Sequence, residues 1–90
     1  MATQCEAAKQ LLFHAAMLKD NKLPALKAVS MAKLFATEMA EKVCHDALQI
    51  YGGYGYLEDF PLAKLYRDVR ATTIYEGSSE IQRHIISKEL

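Results

Sequence analysis

Met31, Leu34, Phe35, Met39, Val43, Ala47 and Ile50 recur at helical spacing through Ala25–Ile50 and make one apolar stripe. At ~1.5 Å per residue this helix would run about 40 Å. That is long for a chain of 90 residues, and a stripe of that length cannot be buried without helical neighbours. The neighbours are legible. Ala8, Leu11, Leu12, Ala15 and Leu18 form a stripe within Thr3–Lys19, and Asp20–Pro24 reads as a turn, with Pro24 tolerated in the first turn of the next helix. Leu62, Leu65, Tyr66 and Val69 point one way within Pro61–Ala71, and Ile81, Ile85 and Ile86 do so from Ser78 to the end. No segment alternates as a strand would. The expectation is an all-α, antiparallel helical bundle with short loops, forming one domain over residues 1–90.

Composition excludes several classes. About half of the residues are apolar (51%), which favours a packed core over disorder. The 11 basic and 11 acidic residues cancel, so no broad field favours nucleic acid. No apolar run approaches the ~20 residues of a membrane span. The first residues lack the basic and apolar regions of a signal peptide, so secretion is not expected. Cys5 and Cys44 have no CxxC spacing, and His14, His45 and His84 are scattered, so no metal site is expected.

Two stretches exceed what bundle-making needs. In Gln49-Ile50-Tyr51-Gly52-Gly53-Tyr54-Gly55-Tyr56 three glycines stand where one would stop a helix. Extra glycines allow close approach of a ligand or another chain, and tyrosines offer flat surfaces. A plain glycine-rich turn with surface tyrosines is the alternative. In Ile74-Tyr75-Glu76-Gly77-Ser78-Ser79-Glu80-Ile81-Gln82 an acid precedes a helix start, where free N–H groups suit an anion such as phosphate. Ser79-x-x-Gln82 fits a capping box. The alternative is that Glu76 and Glu80 only complement the helix dipole.

Taken together and in order, MAKLFATEMA (Met31–Ala40), ALQIYGGYGY (Ala47–Tyr56) and YRDVRATTIYEGSSEIQR (Tyr66–Arg83) resemble the acyl-CoA dehydrogenase family. The resemblance covers essentially the whole chain and implies the last part of the family's C-terminal four-helix bundle. The bundle's first long helix, the middle β domain and the N-terminal helical domain would be missing, so a fragment of a longer protein is expected, inactive on its own.

The resemblance also implies roles. Glu76 matches the base that removes the α-proton of an acyl-CoA thioester while the β-hydride passes to FAD, giving the trans-2-enoyl-CoA. Such a base works best poised near neutral pH, and an apolar, substrate-desolvated pocket raises a carboxylate towards that range. Gly77 matches the residue against the thioester. Ser78, Ser79 and Glu80 match a segment contacting FAD in the same subunit, although the family usually has Thr where Ser78 stands. Gln49, Ile50, Tyr51, Gly52 and Gly53 match a strip reaching the FAD of a neighbouring subunit in a homo-oligomer, a dimer or tetramer. A glutamate at position 76 places the sequence with the short-, medium- or 2-methyl-branched-chain types. Electron-transfer flavoprotein is the implied acceptor, though acyl-CoA oxidases share the bundle. The bacterial cytoplasm or the mitochondrial matrix both fit. Arg67-Asp68 matches too and is expected to hold loops by ion pairing. A non-enzymatic helical interaction or oligomerisation module derived from this bundle is the competing reading, because the face left by the missing helix would be apolar.

Overall fold

A computed structural model describes residues 1–90 and is all-helical. The elements are α1 (Ala2–Asp20), α2 (Leu26–Tyr51), α3 (Gly53–Tyr56), α4 (Pro61–Thr72) and α5 (Ser79–Lys88). α2 is the axis. Antiparallel α1 and α5 flank its N-terminal half, and α3 and antiparallel α4 flank its C-terminal half. The molecule measures 47 × 23 × 17 Å, so its long dimension is set by the 26 residues of α2.

The chain turns where local chemistry permits. After α1, Lys22 takes a left-handed conformation (φ 57°) and the Leu23 N–H returns to the Leu18 carbonyl at 2.9 Å. Pro24 is not in the first turn of α2. The cap of that helix is Ala25, so the proline stands just outside. Pro61 does occupy the first turn of α4, where a missing N–H costs nothing. Gly52 ends α2 with φ 62°.

The expected stripes form the inner faces only in part. The buried apolar residues are Ala8, Ala15, Ala25 and Ala32. Alanine at these positions lets α1 and α2 approach closely. The larger members of the stripes lie further out: Leu12 is 57% exposed, Leu65 47%, Ile81 50% and Ile50 75%. Leu12 lines an open groove of about 570 Å³ between α1 and α2, floored by Ala8, Ala15, Ala32 and Ala36. The stripe positions are helically correct, but they are wider than the contact made by the neighbouring helix.

Candidate functional site

The turn from α4 to α5 is built from its buried end outward. Thr73 is buried; its hydroxyl donates to the Arg70 carbonyl at 3.0 Å and accepts from Arg70 Nη1 at 2.6 Å. The Thr73 carbonyl accepts the Ser79 N–H at 2.9 Å, which closes the loop over Ile74–Ser78. Within it Glu76 has φ 53° and Gly77 has φ 88°. A left-handed non-glycine residue costs about 1–2 kcal/mol and calls for an explanation in the surrounding contacts.

The explanation lies on α2. Lys33 Nζ donates to the Thr72, Tyr75 and Gly77 carbonyls at 2.8, 3.1 and 2.7 Å. Gln82 Nε2 donates to the Gly77 carbonyl as well, at 3.1 Å. Hydrogen bonds from a charged donor are each worth about 1.5–3 kcal/mol, so the set exceeds the backbone cost at Glu76. Glycine suits this position because φ 88° is strained for any side chain, and a Cβ would also displace the Gln82 amide, which would stand 2.5 Å away. The Glu76 side chain, by contrast, is exposed and makes no ion pair or hydrogen bond within the chain. Exposed Ile74 and Tyr75 precede it. The backbone is held and the carboxylate is left free.

The capping arrangement differs from the expected box. Ser78, not Ser79, caps α5, and its Oγ accepts the Ile81 N–H at 3.3 Å. Gln82 reaches back two residues further than the box requires and donates to the Gly77 carbonyl instead of accepting an N–H. Ser79 is the first helical residue, and its Oγ is buried without a partner. The Ser79, Ile81 and Gln82 N–H groups are taken by the Thr73 carbonyl, the Ser78 hydroxyl and the Ser78 carbonyl, which leaves the Glu80 N–H open at the helix start. The open amide at the helix N-terminus is a free donor of the kind that suits an anion.

The second stretch lies elsewhere. Gln49, Ile50, Tyr51, Gly52 and Gly53 are all exposed at the far end of α2, about 25 Å along the helix from Lys33 at ~1.5 Å per residue. The structure therefore brings Glu76, Gly77, Ser78, Ser79 and Glu80 together and keeps the glycine strip apart. Its glycines also have different reasons. Gly52 supplies positive φ, and a Cβ on Gly55 would fall 2.8 Å from the Leu48 carbonyl. Gly53 meets neither demand, since nothing lies within 4 Å of a Cβ there. The stretch is not a plain loop, because Gly53–Tyr56 makes one helical turn.

Arg67-Asp68 does not work as a pair. Asp68 bonds Lys64 one turn earlier at 2.7 Å on the surface. The pairs that tie the helices together are Arg70–Glu41 and Arg83–Glu38, both at 3.6 Å and partly exposed, so each is worth about 0–1 kcal/mol. Sequence reasoning missed Lys33, Arg70 and Thr73. A lone lysine on an amphipathic helix looks like a solvated charge, and its partners are backbone carbonyls more than 35 residues away.

Comparison with known proteins adds identity to this geometry. The family model described as "Acyl-CoA dehydrogenase, C-terminal domain" matches residues 1–90. An acyl-CoA dehydrogenase of Bacillus subtilis is 56% identical over 90 residues, covering 100% of this chain and 24% of its own length. The human mitochondrial short-chain specific acyl-CoA dehydrogenase is 52% identical over 90 residues, covering 100% and 22%. The solved butyryl-CoA dehydrogenase of Megasphaera elsdenii superimposes with a TM-score of 0.96 at 39% identity, covering 99% of this chain and 23% of that one. The chain thus spans about a quarter of the length of the curated relatives it matches.

Proposed function

The chain belongs to the acyl-CoA dehydrogenase family, and from that premise we propose that it supplies the general base, Glu76, for α,β-dehydrogenation of an acyl-CoA thioester of the short-, medium- or branched-chain kind. The observation that supports this reading is the combination at Glu76: a backbone held in the left-handed region and a carboxylate with no partner. A structural glutamate would be expected to use its carboxylate within the fold.

The chemistry follows from the residue types. The Glu76 carboxylate accepts the α-proton of the thioester and becomes a carboxylic acid. Loss of the α-proton to Glu76 would be coupled to departure of the β-hydride, for which bound FAD would supply the acceptor, leaving the α,β double bond. Gly77, without a side chain, leaves room for the thioester beside the base. The open Glu80 N–H is offered to the dinucleotide, with Ser78 holding the helix start that presents it and Ser79 belonging to the same segment, its hydroxyl buried in the free chain. Gln49, Ile50, Tyr51, Gly52 and Gly53 stand apart from that helix start, and family membership assigns them to the dinucleotide of a neighbouring subunit in a dimer or tetramer. An electron-transfer flavoprotein would be the acceptor that reoxidises the flavin.

The remaining three-quarters of a relative's length would close the pocket and exclude water, so this segment alone is not expected to turn over. The oligomerisation reading has its own support, the uncovered Leu12, Phe13 and Met17 of α1, but it gives no reason for a left-handed glutamate. A direct test replaces the corresponding stretch of the Bacillus subtilis relative with residues 1–90. Glu76→Gln in that chimera should lower kcat with butyryl-CoA by about 10²–10⁴-fold with flavin retained, the usual worth of a general base. A loss smaller than tenfold would refute the base assignment.

A further inference from the structure

Three carbonyls converge on Lys33 Nζ: Thr72 at the end of α4, Tyr75 just before Glu76, and Gly77 just after it. An ammonium has three donors and no acceptor, and here each donor has one carbonyl. No carboxylate pairs with Lys33 in the fold. Between the Tyr75 and Gly77 carbonyls the chain passes through two left-handed residues, Glu76 and Gly77, at φ 53° and 88°. That curl turns the chain about the Lys33 head and projects the Glu76 side chain outward. Gln82 repeats the grip on the Gly77 carbonyl from α5, so the turn is clamped from two helices.

We propose that Lys33 is a positioning residue for the base. Its ammonium replaces what would be the last carbonyl caps of α4 and the loop, and so determines where the Glu76 carboxylate stands relative to a bound thioester. This rests on the assignment of Glu76 as base. It assigns to the N-terminal half of α2 the direction in which the proton acceptor points. Lys33 need not touch substrate or flavin. It acts through the two peptide groups that bracket Glu76. Arginine would not substitute well: a planar guanidinium is broader and its donors diverge, whereas the three acceptors here meet at one atom.

The test uses the chimeric holoenzyme described above. Lys33→Met removes the ammonium and keeps the stem. The expected result is a fall in kcat of about 10- to 100-fold, the scale of a misplaced reacting group. KM should stay within about threefold and flavin content unchanged, since ground-state binding is not the affected step. Lys33→Cys, alkylated with bromoethylamine beside an identically treated parent, rebuilds a lysine-like ammonium and should restore most of the lost turnover. A Lys33→Met enzyme with kcat within threefold of the parent overturns the proposal. So does loss of flavin together with activity in both variants, which would make Lys33 a general fold residue, and so does failure of the rebuilt ammonium to rescue. Glu76→Gln separates the two readings: if that variant keeps its turnover, the base assignment fails whatever the Lys33 variants show. Hydrogen exchange then decides the positioning claim alone, with faster exchange at the Tyr75 and Ser79 amides, which donate to the Ala71 and Thr73 carbonyls, in Lys33→Met supporting it and unchanged exchange overturning it.

Discussion

Gly77 and Gly53 carry the same side chain and opposite constraints. Gly77 has φ 88°, which alanine adopts only under strain, and its Cβ would push aside the Gln82 amide, so Gly77→Ala should destabilise the fold by about 1–3 kcal/mol in urea unfolding. Gly53 has open space around its Cα and ordinary φ, so Gly53→Ala should leave stability unchanged or raise it by about 0.4–1 kcal/mol. If the strip approaches a neighbouring subunit's flavin, the same Gly53→Ala change in the chimera should nevertheless weaken flavin retention, read by absorbance after dialysis. The cysteines differ in the same local way. Cys5 is exposed, while partial burial pushes the Cys44 thiol above its ordinary value. Less thiolate forms at a given pH, so iodoacetamide at neutral pH should label Cys5 well before Cys44, by peptide mass spectrometry. Equal rates would contradict that burial.

Among the elements, α5 separates its two leading serines cleanly. Ser78 caps the helix, and Ser78→Ala should cost about 1 kcal/mol. Ser79 Oγ is buried without a partner, so Ser79→Ala should cost nothing or stabilise the free chain, because removing an unsatisfied hydroxyl removes its desolvation penalty. Chemical denaturation of the two variants decides this, and a larger loss at Ser79 would mean that its hydroxyl has a partner inside the fold. The spans of the helices were legible because apolar period and breakers are local: Gly52 stops α2 and Pro61 starts α4 as expected. The cap of α5 was displaced by one residue. Two adjacent serines look alike in sequence, and the choice between them depends on Thr73 accepting the Ser79 N–H across the turn.

At the scale of the whole molecule, the chain is stretched along α2 and incompletely covered. Its radius of gyration is 15.1 Å, against about 12 Å for a compact domain of this length. Its accessible surface is 6573 Å², against about 5,300 Å² for a monomer of this mass. No large side chain is fully buried, and Leu12, Phe13, Met17 and Phe35 are exposed. The isolated chain is therefore expected to bind the dye ANS and to lack a sharp thermal transition by near-ultraviolet circular dichroism. A dye-free, cooperatively melting chain would show that the alanine seam between α1 and α2 suffices. The sequence by itself determined the helices, their breakers and the order of the two unusual stretches, because periodicity, glycine and proline act within a few residues. Only the tertiary structure decided that the glycine strip and Glu76 stand at opposite ends of α2, and that Lys33 grips the turn around Glu76. Those facts depend on backbone carbonyls, which every residue carries alike, meeting a side chain from a distant helix.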